Sequence, residues 1–184
     1  DQVHTETLRL RQIVESLLFL ARSEAEAVPP DGQPIDLAAW VPELVTDRWA
    51  KDPRISDLHV EVEPSSRDAG VWVTAHPPLL AQVAENLIDN AIKYSERGTP
   101  VSVTVGREQG AAVIAVEDHG CGLSPEEIAS IFDPFYRSPR ARQMGRTGVG
   151  LGLSVVQRIV QAFRGTIAVE SRPQQGARFV VRLP

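Results

Sequence analysis

Cysteine is all but missing. Cys121 stands alone among 184 residues, which excludes an internal disulfide and fits a reducing compartment. Long apolar runs are missing too: no stretch approaches the roughly 18–20 residues of a membrane span. None reads as a signal peptide, and no segment repeats. Any membrane segment is therefore expected upstream, outside this sequence. Positive charge is not in excess; the formal net charge of −5 argues against nucleic acid as a partner, although the basic residues are unevenly spread. The first residue is Asp rather than Met, so a fragment of a longer chain is expected. What is present is an apolar content of 42 %, enough for a core, in a length that suits one ordinary domain plus an appendage.

The most informative stretch runs from Glu85 to Ser95. It closes an apolar-periodic segment in which Leu79, Leu80, Val83, Ala84, Leu87, Ile88 and Ala91 fill one half of a helix. Asn86, Asn90 and Lys93 follow one another at i, i+4 and i+7 along a border of that half. Asn90 falls between Leu79 and Val83 on the wheel, so burial is expected, and a buried amide without partners costs roughly 1–3 kcal/mol. A single such amide would cap nearby backbone. Two amides and a lysine in one row suggest more, because carbonyl oxygens suit Mg²⁺ and an ammonium suits the phosphates that accompany it. A nucleotide–metal site on this helix is the working expectation.

Around that helix the pattern is regular. Residues near 3–25 read as a helix with Leu10, Ile13, Leu17 and Leu20 at coiled-coil spacing, and 26–34, with three prolines and a glycine, as a linker. A short strand near Ile35 and a helix over about 38–50 follow. Strands are expected at 58–62, 71–74, 101–105 and 112–116, the last two joined as a hairpin through Gln109-Gly110. The central helix covers about 77–95. Ser124-Pro125-Glu126-Glu127 is a capping box that opens a short helix. Residues 133–149 show no period. A helix over about 150–164, stopped by Gly165 in the left-handed region, and a closing hairpin of 166–170 and 177–183 complete the chain. The expected class is α+β: a two-layer sandwich with a mixed sheet of about five strands, covered on one face by three helices.

Three further groups carry chemistry. Asp118 sits at the end of an apolar strand and begins Asp118-His119-Gly120-Cys121-Gly122. A carboxylate there can accept from an exocyclic amine, and the glycines let a flat ring approach the backbone, although alone the segment reads as an Asp-Gly turn. Gly148, Gly150, Leu151 and Gly152 open a helix, whose N-terminal amides suit phosphate, although alone they read as a flexible hinge. The segment is neither a P-loop nor a dinucleotide fingerprint. Of the arginines in 133–149, Arg137 is the candidate for a phosphate contact. His4, His59, His76 and His119 read as structural or surface residues, and Cys121 as a small turn residue.

In this order the pieces resemble the ATP-binding domain of bacterial sensor histidine kinases, of the Bergerat-fold superfamily. Residues 86–95 resemble that family's N box, 118–122 its first glycine box, 132–137 its F box and 148–154 its second glycine box. The resemblance covers about 35–184, and the first helix is similar to part of the second dimerisation helix of such kinases. It implies ATP and Mg²⁺ as cofactors. Asn90 would ligate the metal with Asn86 in support, Lys93 would meet phosphate, and Tyr94 would pack near the adenine. Asp118 would accept from the adenine amine beside Gly120, and Gly122 would clear room for the ring. Residues 133–149 would form a lid anchored by Phe132 and Phe135, with Arg137 on the phosphates. Pro134, Thr147 and Val149 depart from the family's usual residues there.

In the related ATPases, the position of Asn86 is a glutamate that activates water. An amide cannot act as a general base, which favours phosphoryl transfer over hydrolysis. Glu85 is adjacent but points about 100° away on a helix. The family's phosphoacceptor motif is missing, since His4-Thr5-Glu6-Thr7 does not match it, so the acceptor helix is expected upstream of Asp1. The implied partners are a second copy, through the dimerisation helices, and a response regulator; the implied location is the cytoplasmic side of an inner membrane. An anti-sigma-factor-type serine kinase and a nucleotide-sensing module without turnover are the alternatives.

Overall fold

The computed structural model describes residues 32–67, 69–143 and 148–184. The expected helix over 3–25 and most of the linker lie outside that range. Strand β1 (Gln33–Asp36) begins within the stretch that the prolines mark as linker, and Pro34 is accepted there because β1 pairs on one side only, with β3. Asp36 closes the strand and caps α1 (Leu37–Trp49), its carboxylate accepting from the amides of Ala38 (3.1 Å) and Val71 (2.7 Å). Leu37, Val41, Val45 and Trp49, spaced by four, form the buried stripe of α1.

The remaining elements are β2 (Leu58–Val62), a short α2 (Pro64–Arg67), β3 (Trp72–Ala75), α3 (Pro77–Tyr94), β4 (Val101–Glu108) and β5 (Ala111–Asp118). They continue with α4 (Pro125–Ser130), α5 (Pro139–Gln143), α6 (Gly152–Ala162), β6 (Thr166–Ser171) and β7 (Ala177–Leu183). The main sheet has the order β2-β4-β5-β7-β6, parallel between β2 and β4 and antiparallel elsewhere; β1 and β3 form a separate two-stranded sheet. The fold is the expected α+β sandwich, with α2 and α5 as additional short helices. The β4–β5 hairpin turns on Gln109 (φ 52°) and Gly110 (φ 89°), positive φ at both positions, as a two-residue turn requires.

Register places Val60, Val103, Val116, Phe179 and Val169 in one row across the sheet, and Val62, Val105, Ile114, Val181 and Ile167 in the next. These rows meet Leu80, Val83, Leu87 and Ile88 of α3 and Val155, Val156 and Ile159 of α6 in a single core. The fully buried ones, among them Val103, Ile114, Leu87 and Ile88, contribute roughly 1.5–3 kcal/mol each. The third row of the same face reads Leu58, Val101, Asp118, Ala177 and Ser171. Asp118 is thus a carboxylate on the helix-covered face of the sheet, at the end of its strand.

One stop signal differs from expectation. It is Arg164, not Gly165, that takes the left-handed conformation after α6 (φ 59°). Gly165 is needed for another reason: a Cβ there would lie 2.4 Å from the Arg182 carbonyl oxygen.

Candidate functional site

Asn86, Asn90, Lys93 and Tyr94 of α3 form one wall of a cavity of about 270 Å³. The Asn86 side chain donates through Nδ2 to the Gln82 carbonyl (2.9 Å), one turn back. Its remaining donor–acceptor capacity lies toward the N-terminus of α6, where a Cβ on Gly152 would stand 2.9 Å from Asn86 Oδ1. Asn90 is half-buried rather than buried, because its wheel position looks into this cavity and not into the core. The Lys93 ammonium lies 5.1 Å from the centroid of the Tyr94 ring, within cation–π range, and close to Gly148. Glu85, one residue from Asn86, faces away and pairs with Arg48 (2.8 Å).

Asp118 reaches the cavity from the sheet. It is 6 % exposed, and its carboxyl accepts from the Gly120 amide (2.7 Å) and from the Ala177 amide. Burial pushes its pKa upward, and the two amides oppose that shift. Gly120 itself does not line the cavity. It abuts the end of α3, where a Cβ would lie 2.3 Å from the Tyr94 carbonyl oxygen. Gly122 lines the cavity, but its lack of a side chain serves the neighbouring hairpin, since a Cβ there would meet the Arg172 carbonyl at 1.9 Å.

The third wall comes from α4, α5 and the start of α6. Ser124 and Glu127 form the expected capping box, Ser124 Oγ accepting from the Glu127 amide (3.3 Å) and Glu127 Oε2 from the Ser124 amide (2.8 Å). The box sets the direction of α4 and so brings Ile131 to the cavity. The Phe135 amide donates to the Gly150 carbonyl (2.8 Å), which ties the F box to the second glycine box. Phe135 has a positive φ (65°) and is 57 % exposed, so its side chain does not pack as the expected anchor. Tyr136 takes that place: it is half-buried, packs against the core and lines the cavity with Arg137. Gly148, Val149, Gly150, Leu151 and Gly152 complete this wall. Leu151 occupies the N-cap of α6 without a side-chain hydrogen bond, so the first-turn amides of a helix that begins at the cavity have no side-chain cap.

The structure therefore brings together Asn86, Asn90, Lys93, Tyr94, Asp118, Gly122, Arg137, Gly148, Gly150, Leu151 and Gly152, and leaves Gly120 and Phe135 off the lining. Residues without a sequence signal, among them Leu123, Ala141 and Phe179, also line the cavity. Helix α5 had a readable cue: Ser138 precedes Pro139 and accepts from the Ala141 amide (3.1 Å). Among the described residues no cluster of His, Cys, Asp or Glu could hold a metal by itself. Oxygen ligands for a cation at this site would come from the Asn86 and Asn90 amides together with the ligand's own groups. His59 and His119 are exposed, and Cys121 has its thiol pKa raised by burial, which disfavours the thiolate.

A buried carboxylate, apolar walls, two amides, two cations and uncapped helix amides line one pocket, an arrangement that suits a nucleotide. Residues 75–184 match the model of the histidine kinase-, DNA gyrase B-, and HSP90-like ATPases, and the chain belongs to that family. Over 180 residues it is 31 % identical to sensor protein SrrB of Staphylococcus aureus, a match covering 97 % of this chain and 30 % of SrrB. The histidine kinase domain of the E. coli osmosensor EnvZ is 30 % identical, with a TM-score of 0.60 over 83 % of this chain and 88 % of that one. For the Acinetobacter baumannii histidine kinase AdeS the identity is 25 % and the TM-score 0.74, over 99 % of this chain and 81 % of that one. The chain thus spans about 30 % of the length of the curated relatives it matches, and groups with the ATP-binding catalytic domains of sensor histidine kinases.

Proposed function

We propose that this domain binds Mg²⁺-ATP and, within a longer two-component sensor kinase, delivers the γ-phosphoryl group to a histidine on a dimerisation helix upstream of Asp1. The supporting observation is the convergence of Asn86, Asn90, Lys93, Asp118 and Arg137 from separate segments on one cavity. Asp118 accepts from the adenine amine, Lys93 and Arg137 stabilise phosphate charge, and the α6 amides receive phosphate oxygens. Asn90, supported by Asn86, holds Mg²⁺, which neutralises charge on the phosphates when bound. Transfer is in-line: an imidazole nitrogen bonds to the γ-phosphorus as the bond to the β–γ bridging oxygen breaks, ADP leaves, and the imidazole releases its proton. The protein's contribution is positioning and charge stabilisation. The phosphoryl group then passes to an aspartate of a response regulator. Dimerisation through the upstream helices and a membrane span before them complete the proposed intact protein.

Calorimetric titration of this chain with Mg²⁺-ATP tests the binding step. Phosphorylation is tested in a longer form carrying the upstream helices: radiolabel from ATP should be acid-labile and alkali-stable, as phosphohistidine is. Acid-stable label on serine would favour the anti-sigma-factor type of kinase, and binding without any label a nucleotide-sensing module.

A further inference from the structure

Arg54 lies outside the cavity, in the turn after α1, yet it is only 8 % exposed. Its guanidinium has five N–H groups, and all five are used. Nε donates to Asp57 Oδ2 (2.8 Å). One terminal nitrogen donates to the carbonyls of Ile92 and Ser95, and the other to Ser95 Oγ (3.0 Å) and the Glu96 carbonyl (2.7 Å). The Ile92 and Ser95 carbonyls are orphan acceptors at the C-terminal end of α3, where a cation also complements the helix dipole, and the Glu96 carbonyl, which also accepts from Thr99, lies just beyond it. Ser95 adds to the closure, its hydroxyl donating to the Ala91 carbonyl (2.6 Å).

The carbonyls that Arg54 holds flank Lys93 and Tyr94, two residues of the cavity wall. The same turn carries the Tyr94 carbonyl, against which Gly120 packs, and the Gly120 amide donates to the Asp118 carboxylate. A contact chain thus runs from Arg54 through the last turn of α3 to both the phosphate side and the adenine side of the proposed site. We infer that Arg54 is a positioning residue for nucleotide binding: it holds the last turn of α3 so that Lys93 and, through Tyr94 and Gly120, Asp118 keep their places. Asp57 orients the guanidinium and is the accessory member of the pair. This rests on the ATP-binding reading above.

The test is Mg²⁺-ATP affinity by calorimetry, well below the thermal midpoint of each variant, for Arg54→Met and Arg54→Lys in the wild-type and Lys93→Ala backgrounds. Lysine keeps the charge but offers three donors and no planar fork. The expected result is an affinity loss of about tenfold for Arg54→Met, incompletely rescued by Arg54→Lys, shrinking to less than about threefold when Lys93 is already alanine; such non-additivity marks residues that act through one another. Should Arg54→Met fail to fold, Arg54→Lys and Asp57→Asn carry the same comparison. Unchanged affinity in a folded Arg54 variant overturns the inference and makes Arg54 a stability residue only, and equal losses in both backgrounds overturn the route through Lys93. Absence of Mg²⁺-ATP binding by the unaltered chain would instead overturn the reading of the site.

Discussion

The Phe135 amide donates to the Gly150 carbonyl at 2.8 Å, joining the F-box segment to the start of the second glycine box. Gly150 holds φ at +82°, and a Cβ there would sit 2.5 Å from the Tyr136 carbonyl oxygen. Gly150→Ala meets both a left-handed backbone, which costs about 1 kcal/mol for a residue with a side chain, and a backbone clash that no rotamer relieves. The expected result is ATP affinity lowered at least tenfold, with the thermal midpoint lowered by at least about 2–4 °C, the shift that 1 kcal/mol produces in a chain of this size. Calorimetry and a melting curve check both parts; unchanged affinity would show that this junction does not shape the site.

Asp118 predicts base selectivity and a pH dependence together. Asp118→Asn exchanges an acceptor oxygen for a donor facing the adenine amine, a mismatch of roughly 1–3 kcal/mol, or about ten- to hundredfold in affinity. GTP, which presents a carbonyl there, should bind poorly to the wild type. Burial raises the Asp118 pKa, so the free domain takes up this proton at a higher pH than an ordinary aspartate does. Protonation places a hydrogen where the ligand amine must donate. Affinity for ATP should therefore fall on acidification through that raised pKa, whereas Asp118→Asn should bind weakly without this limb. Comparable affinities for ATP and GTP would remove the assignment.

The Arg54–Asp57 pair sets an acid limb on stability. Asp57 is held below the usual carboxylate range first by its hydrogen bond from Arg54, then by the Gly98 amide. A carboxyl whose folded pKa is depressed contributes stability that is present above its unfolded pKa, about 3.9, and is lost as pH falls through the lower folded value. Urea midpoints measured from pH 5 down to pH 2 should therefore fall less steeply for Asp57→Asn than for wild type. Parallel curves would mean that the pair does not report on acid unfolding.

Helix α3 was legible because Leu80, Val83, Leu87 and Ile88 repeat at helical spacing and do bury, and the polar row beside them had nowhere to face but a cavity. Strands β4, β5 and β7 were legible for the same reason at period two. The separation of β1 and β3 into their own sheet, and the parallel pairing of β2 with β4, depend on contacts between distant segments that no local pattern states. Which of Phe135 and Tyr136 turns inward was decided by the positive φ at Phe135, a conformation that an aromatic residue does not announce. Arg54 carried no signal, since a lone arginine in a turn is ordinarily solvated; only the fold aims it at the carbonyls of α3.

Phosphoryl transfer and hydrolysis are separated at Asn86. Asn86 lines the cavity, and its amide, tied through Nδ2 to the Gln82 carbonyl, has no basic atom to take a proton from water. Glu85, the nearest carboxylate in sequence, is turned away and paired with Arg48. Intrinsic ATP hydrolysis by this domain should therefore be slow. Asn86→Glu introduces a carboxylate at the place where related ATPases keep their base, and general-base catalysis is worth about 10²–10⁴-fold when geometry permits. The substitution also removes the Nδ2 donor, so the expected gain lies at the lower end, about 10²-fold in phosphate release. On the proposed reading, Asn90→Ala should instead abolish Mg²⁺-dependent nucleotide binding, because it would remove a metal ligand rather than install a base. Steady-state phosphate release and Mg²⁺-ATP titrations on the wild type and both variants decide the matter. Brisk wild-type hydrolysis that disappears in Asn86→Ala would make this domain an ATPase that uses Asn86 to place water.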